Sequence, residues 1–340
     1  MNYSHILTQL LERRDLTHAD MLVLMQQIMG GQLSSAQIAG VLVALRVKGE
    51  TVTEIAAAAQ VMRELSTKVE VQDKGHLIDT CGTGGDGAQT FNISTASAIV
   101  AAAAGAKVAK HGGRSVSSTC GSADILEKLG VNVNLTPDQV VRCVANIGVG
   151  FMFAPNHHSA MKYAAPVRRE LGVRTLFNLL GPLTNPAGAQ NQVMGVFLRD
   201  LTGKLAQVLQ QLGSRHVLVV HGSDGMDEIS ISAPTFIAEL KNGKITEYTV
   251  SPEEFGLKPA ALNDIRVANA DEAKTMLLDV FDDKPGAARD IVLLNAGAAI
   301  YVAGLSDSLA HGIKKAAETI SFGAAKNKLT QLIHISPIKL

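Results

Sequence analysis

Over the first 70 residues the apolar positions recur every three or four residues, and no stretch alternates with the period of a strand. Thr17 precedes an apolar-periodic run through Met21, Leu22, Leu24 and Met25. Ser34 with Gln37, and Thr51 with Glu54, have the spacing of capping boxes, in which two side chains satisfy orphan amides of a first helical turn. The pattern predicts three or four short helices, separated at Gly30-Gly31 and at Gly49.

The texture changes at Asp73-Lys74-Gly75. From there short apolar runs alternate with helical periodicity. Strands are expected at His76 to Asp79, Ala106 to Ala109, Val131 to Asn134 and Val149 to Phe153, with helices at Asn92 to Ala104, Ser122 to Leu129 and Pro137 to Asn146 between them. Val193 to Phe197, His216 to Val220 and Ile291 to Asn295 read as further buried strands. Such alternation predicts an α/β fold, a mostly parallel central sheet flanked by helices. Tyr163 to Pro186 interrupts it with a long, largely helical connection, which is expected outside the sheet against the N-terminal helices. The division that follows is a small helical domain, residues 1–72, completed by helices within 163–186, and a large α/β domain, residues 73–340.

Composition narrows the class. Of 340 residues 46% are hydrophobic and 18% charged, the balance of a chain that buries a core. The 31 basic and 31 acidic side chains cancel, so a nucleic-acid partner is not expected. The longest apolar stretch, Ala96 to Ala106, is too short for a membrane span, and Met1 to Gln9 lacks the pattern of a secretory signal. Cys81, Cys120 and Cys143 are too scattered for a disulfide framework or a paired-cysteine metal site. A cytoplasmic location is the expectation.

The chemistry concentrates in loops after strands. Gly82-Thr83-Gly84-Gly85-Asp86-Gly87 joins a strand to a helix, and its glycines let backbone amides approach an anion beside the positive end of a helix dipole. No Lys-Ser or Lys-Thr closes it as in a Walker loop. It matches a dinucleotide fingerprint literally, but no Asp or Glu lies between Asp86 and Asp124 to hold a ribose. By itself a plain tight turn stays open. Asn92-Ile93-Ser94-Thr95 then opens the helix with three hydrogen-bonding side chains, a candidate N-cap and phosphate cradle. Lys110-His111-Gly112-Gly113-Arg114-Ser115-Val116-Ser117-Ser118 adds two cations, a glycine pair and three hydroxyls at the next strand's end. Two such loops after successive strands favour a multiply anionic ligand over solvated charges.

Asp227 and Glu228 follow an apolar strand. Adjacent carboxylates suit Mg²⁺ when phosphate oxygens complete its shell, although two exposed turn carboxylates are the commoner fate of such a pair. Arg168 is either a helix-surface residue or a reader of a substrate carboxylate. His157 and His158 read as packing or pocket lining, and no Gly-x-Ser-x-Gly elbow supports a covalent hydrolase.

Together, Gly82 to Gly87, Asn92 to Thr95, Lys110 to Ser118, Gly121-Ser122-Ala123-Asp124 and Arg168 through Pro186 resemble the anthranilate phosphoribosyltransferase family, over essentially the whole chain. The architecture implied is that of the nucleoside phosphorylases and class III-like phosphoribosyltransferases, with the site in a cleft between the domains and a homodimer formed through the helical domains. The activity implied is transfer of the phosphoribosyl group of phosphoribosyl pyrophosphate to the amine of anthranilate, in the tryptophan branch. Carried over by position, Gly82, Gly85, Asp86, Thr90, Asn92 to Thr95, Lys110 to Ser118 and Ser122 would hold the donor. Ser94, Asp227 and Glu228 would hold Mg²⁺, with two ions per monomer. Gly82, Gly113 and Arg168 would meet anthranilate, Arg168 through its carboxylate. Lys110, Asp227 and Glu228 would act electrostatically, since a neutral aromatic amine needs positioning more than a general base. The chain departs from the family at Gly113, where Asn is usual, and at Thr119-Cys120, where Lys-Ser is frequent. A nucleoside phosphorylase or another phosphoribosyltransferase of the same fold, and a non-catalytic or regulatory nucleotide-binding module, are the competing readings.

Overall fold

The computed structural model describes residues 3–114 and 120–337. Its N-terminal part is helical: α1 (Tyr3–Leu11), α2 (His18–Met29), α3 (Ser35–Lys48) and α4 (Val52–Leu65). The expected caps are present. Thr17 accepts from the Asp20 amide, and Ser34–Gln37 and Thr51–Glu54 form reciprocal capping boxes. Glu54 is also buried, accepting from the Leu16 amide at 2.9 Å and from Lys48 Nζ at 2.9 Å, so one cap ties three segments together.

The remainder runs β1 (Leu77–Asp79), α5 (Ile93–Ala103), β2 (Lys107–Gly112), α6 (Ser122–Lys128), α7 (Pro137–Ile147), β3 (Val149–Phe153), α8 (Ala154–His157), α9 (Ala165–Leu171), α10 (Phe177–Leu180), β4 (Asn191–Gly195), α11 (Leu201–Gln211), β5 (His216–Gly222), β6 (Thr235–Lys241), β7 (Lys244–Val250), α12 (Ala270–Phe281), α13 (Ala287–Val302), α14 (Leu309–Ser321) and α15 (Ala324–Ile335). The sheet order is β3-β2-β1-β4-β5-β6-β7, with β1 to β5 parallel and β6 and β7 antiparallel at one edge. The chain builds outward from β1 through β2 to β3, then returns to the other side of β1 with β4. The crevice between β1 and β4 is therefore the topological switch point, where ligands of open α/β sheets bind.

Strand alternation divides the core by sheet face. Val193, Leu218 and Val220 join a cluster with α5 and α13, whereas Met194, Val217 and Val219 join one with α11 and the N-terminal helices. Residues of the 163–186 connection, among them Val167, Leu176 and Leu180, belong to the second cluster, outside the sheet. Arg63 of α4 fastens it, donating to Leu183 O at 2.6 Å and to Leu212 O at 3.2 Å.

Two expected strands are absent as such. Val131 to Asn134 is irregular: Val131 and Val133 are buried as an alternating strand would bury them, but the Asn132 amide donates to Ser336 O at 3.0 Å and its side chain accepts from the Asn134 amide at 2.9 Å, a local turn. Ile291 to Asn295 lies inside α13, which is buried from Ile291 to Val302 and so shows no polar face to reveal a helical period. The β4 strand begins and ends two residues earlier than expected, at Asn191 and Gly195. The β6–β7 hairpin has no counterpart among the expected strands, although Asn242-Gly243, both with positive φ, is the turn that such hairpins favour.

Candidate active site

β1 hands the chain to Gly82–Gly87 at the switch point. Gly84, Gly85 and Gly87 have φ of +63°, +80° and +72°, a left-handed backbone conformation that side chains would strain. The loop is pinned to the end of β4: Thr83 N donates to Gly195 O at 2.9 Å, and Thr83 Oγ1 accepts from the Phe197 amide at 3.2 Å. Packing here is very close. A Cβ at Gly82 would lie 3.0 Å from Asp227 Oδ2, and one at Gly195 would lie 1.4 Å from the Asp227 main-chain oxygen.

The loop after β5 brings Asp227 and Glu228 into this crevice. Gly84 N donates to Asp227 Oδ2 at 2.7 Å, and Asp86 accepts from Ala88 N at 3.1 Å and faces Asp227 N at 3.4 Å. Glu228 accepts from the backbone amide of Ser94, at the start of α5. Desolvation, and then the Asp86 charge, pushes the Asp227 carboxyl up; desolvation and Asp227 push Glu228 up further, with Lys110 partly offsetting this. Asp86 thus crowds Asp227 and Glu228 at one site and disfavours their charge, a setting that a divalent cation relieves. The donors are hard oxygens on Ser94, Asp227 and Glu228, which fit Mg²⁺ with water and phosphate oxygens filling the rest of the shell. Among the described residues no group of three or more His, Cys, Asp or Glu is arranged to hold a metal by itself.

Beneath lies a buried polar floor. Lys110 Nζ donates to Thr80 O at 2.9 Å, Thr80 Oγ1 at 3.3 Å and Ser94 Oγ at 3.2 Å. Its ammonium is therefore spent on protein oxygens and acts on the site through its field. Asp79 accepts from Thr80 N at 2.7 Å, His111 N at 3.1 Å and Asn185 Nδ2 at 2.7 Å. Burial nevertheless pushes Asp79 up to about 6, against the pull of Lys110 and these donors. Between pH about 4 and 6 the folded chain then holds a proton that the unfolded chain has lost, so this group's contribution to stability falls as pH rises through that window and is level above it. The fall is at most about 3 kcal/mol. Chemical denaturation of the natural protein and of Asp79→Asn over that range should show their stability difference moving by that order, and a constant difference would contradict the assignment.

The other expected donor residues divide. Thr95 Oγ1 donates to Ser122 Oγ at 3.2 Å, joining the two loops, and Gly112 has Ser122 and Phe151 so close that a Cβ would lie 3.3 and 3.2 Å from them. Thr90 forms a bridge with Arg266 on the segment leading into α5. Ile93 puts its side chain in the core, leaving only its backbone for a ligand. Asn92 is not the side-chain cap expected of it: its Nδ2 donates to Cys120 O at 2.9 Å, while its buried Oδ1 has no hydrogen-bond partner. Arg114 is paired within the protein: Glu127 accepts from it through two bonds of 2.6 and 2.8 Å and Asp124 through one of 2.8 Å. A Cβ at Gly113 would meet nothing within 4 Å. Ser115, Val116, Ser117, Ser118 and Thr119 lie outside the described residues.

On the 163–186 connection, Arg168 is half-buried on α9, its guanidinium 5.6 Å above the Phe177 ring. Among the described residues no carboxylate pairs with it, and burial lowers its basicity. A carboxylate ligand would restore what burial removes. His111 and His158 meet edge to face at 5.1 Å, and both are buried. Burial, then the neighbouring His158 and His157, pushes His111 down to about 3, and burial, then His157 and Lys68, pushes His158 down to about 4, so both are neutral at pH 7. Both ring nitrogens of His111, and Nε2 of His157 and of His158, have no partner at hydrogen-bond geometry.

Known proteins bear directly on this geometry. Residues 74–326 match the family described as "Glycosyl transferase family, a/b domain", and residues 4–66 the "Glycosyl transferase family, helical bundle domain". The chain is 64% identical over 330 residues, 97% of this chain and 96% of the relative, to the anthranilate phosphoribosyltransferase of Thiobacillus denitrificans. Among solved structures it superposes on the anthranilate phosphoribosyltransferase of Thermus thermophilus with a TM-score of 0.92, at 41% identity over 97% of this chain and 98% of that one. The Saccharomyces cerevisiae protein (TM-score 0.89, 27% identity, 98% and 97% covered) was solved in complex with PRPP and Mg, where PRPP is phosphoribosyl pyrophosphate, and separately with 4-fluoroanthranilate.

This chain belongs to the anthranilate phosphoribosyltransferase family. It is a pentosyl transferase of tryptophan biosynthesis, moving the phosphoribosyl group of phosphoribosyl pyrophosphate onto the amine of anthranilate and releasing pyrophosphate. In this phosphoribosyltransferase three site elements escape a reading of loops. Asp79 and Asn185, whose Nδ2 also donates to Ala109 O at 2.9 Å, brace the floor from buried positions that carry no loop signature. Gly195 ends an apolar strand, and only the fold reveals that Asp227 lies against it. Arg174 reaches the Gly85 carbonyl from the far connection.

Proposed function

We propose that the transfer takes place at the β1–β4 crevice, with the sugar phosphates of the donor over Gly82–Gly87 and the N-terminal end of α5. The observation that carries this is the convergence of the Gly84 amide, Asp227, Glu228 and the Ser94 amide at the switch point. Ser94, Asp227 and Glu228 would hold Mg²⁺, two ions per monomer, which when bound supplies positive charge beside the departing pyrophosphate. Backbone amides of the glycine loop and of the start of α5 aim dipoles at the same anion, and Lys110 adds a fixed charge from the floor. Breaking the bond from ribose C1 to pyrophosphate leaves an oxocarbenium-like ring, so the largest demand on the protein is stabilising the leaving anion. The amine of anthranilate is neutral at pH 7 and attacks C1 once aligned; its proton is lost afterwards.

On the acceptor side, Arg168 would pair with the carboxylate of anthranilate, with Gly82 and Gly113 beside it and the neutral His111–His158 pair as wall. The helical unit, residues 1–72 with the helices of 163–186, and the α/β unit, residues 73–340, form the two sides of this cleft. Arg168→Ala should raise the KM for anthranilate roughly 10- to 100-fold, the worth of a hydrogen-bonded charge, with the KM for phosphoribosyl pyrophosphate within about twofold. Loss of anthranilate fluorescence in the presence of donor and Mg²⁺ reads both. Unchanged anthranilate saturation would remove Arg168 from the site.

The working unit is a homodimer joined through the helical domains. Leu11, Val43 and Val47 support this, since they are exposed along one apolar groove of α1 and α3 with Leu10 and Ala39. Three free cysteines suit a reducing cytoplasm, and among the described residues no helix is long and apolar enough to cross a membrane.

A further inference from the structure

Arg174 follows α9 on the same connection that bears Arg168, yet its guanidinium crosses to the donor loop and donates to the Gly85 carbonyl oxygen. It lies over Phe197, with Cζ 4.1 Å from the ring centroid. Phe197 is itself a fixed point of the loop, because its amide donates to Thr83 Oγ1 at 3.2 Å. The loop is therefore gripped twice with reference to one residue: at Thr83 by the Phe197 backbone, and at Gly85 by an arginine stacked on the Phe197 ring.

The second grip matters for chemistry. Gly84 and Gly85 sit at φ of +63° and +80°, a conformation in which rotation of one peptide plane exchanges an amide for a carbonyl on the anion-facing side. Glycine offers little resistance to that rotation. A cation fixed to the Gly85 carbonyl opposes it and keeps that oxygen turned away from an incoming phosphate.

We infer that Arg174 is a positioning residue for the donor, a strap from the acceptor-bearing connection that sets the peptide orientation of the glycine loop. It acts through Gly85 and does not itself touch the reacting atoms. The inference rests on the proposed donor site and goes beyond it by linking the two halves of the cleft through one side chain.

Steady-state kinetics of Arg174→Ala and Arg174→Lys, with each substrate varied in turn, provide the test. For Arg174→Ala the KM for phosphoribosyl pyrophosphate should rise roughly tenfold, the scale of one charge-assisted hydrogen bond, with the anthranilate KM within about twofold. Arg174→Lys keeps a donor but not the planar stack, and should fall between the two. Millimolar guanidinium chloride should lower the raised KM of Arg174→Ala, and equal sodium chloride should not. An unchanged donor KM, a parallel rise of both KM values with a lowered melting temperature, or rescue by sodium chloride alone would each overturn the role. If the natural protein shows donor saturation but pyrophosphate does not compete with the donor, the donor site is wrong and not only the strap.

Discussion

Gly195→Ala should reduce kcat/KM for phosphoribosyl pyrophosphate about a hundredfold or more, although position 195 offers no functional group. A Cβ there would sit 1.4 Å from the Asp227 carbonyl oxygen and 2.4 Å from its carbonyl carbon, both main-chain atoms. A side chain in the way could change rotamer, but here the backbone carrying Asp227 and Glu228 must move. A displacement of about 1 Å at a catalytic group is enough to cost two orders of magnitude. The same strand end accepts the Thr83 amide at 2.9 Å, so the glycine loop shifts together with the carboxylates. By contrast, a Cβ at Gly82 would lie 3.0 Å from the Asp227 side-chain oxygen and 3.1 and 3.3 Å from the Gly195 main-chain oxygen and nitrogen, contacts that shifts of a few tenths of an ångström relieve. Overpacking should also cost about 1–3 kcal/mol of stability. Kinetics with donor and Mg²⁺ varied, alongside a denaturation curve, measure both effects. Natural donor use by a folded Gly195→Ala protein would mean that Asp227 is not held where the metal-site proposal needs it.

That prediction also marks the boundary of what the chain discloses on its own. The helical beginning, the strand–helix alternation and the caps at Thr17, Ser34 and Thr51 are local, each written in residues within one turn of one another, and all could be read directly. Glycine loops could be read for the same reason. Sequence patterns failed where burial erased them: α13 is buried on every side from Ile291 to Val302 and there imitates a strand, and the valines at 131 and 133 alternate without any partner strand. Of the site, the residues on the loops were legible as candidates, but not which way they point. Arg114 carries the right charge for phosphate, yet two carboxylates on α6 claim it. Lys110 carries it too, but spends its donors on Thr80 and Ser94 and can contribute only its field. Contacts between residues more than 80 positions apart, such as Gly195 with Thr83, Asp79 with Asn185 or Arg174 with Gly85, have no local signature and emerge only from the topology.

The Asp227 carboxylate occupies the amide that a phosphate needs. Gly84 N donates to Asp227 Oδ2 at 2.7 Å, so the glycine loop is satisfied by an internal anion. Without a divalent cation, an incoming pyrophosphate group has to displace that carboxylate and also approach a cluster already containing Asp86 and Glu228. A cation bound by Asp227 and Glu228 would neutralise the cluster and compete with Gly84 for the same oxygen. Asp227→Asn removes one charge and weakens the internal acceptor while preserving shape. In EDTA it should therefore bind pyrophosphate at least roughly 5-fold more tightly than the natural protein, since one unit charge about 4 Å away is worth about 1 kcal/mol even in bulk water and more in this desolvated crevice. With Mg²⁺ the order should invert, and turnover should fall at least about a hundredfold, because the variant has lost a hard anionic donor where leaving-group charge develops. Relief of carboxylate crowding should also raise the melting temperature of the metal-free variant above that of the natural protein, the stability a site surrenders for its chemistry. Calorimetric titration with pyrophosphate in EDTA and again in Mg²⁺ separates these effects. Equal metal-free affinities would show that Asp227 does not guard the loop, and a variant that kept its affinity and turnover in Mg²⁺ would remove Asp227 from the metal site altogether.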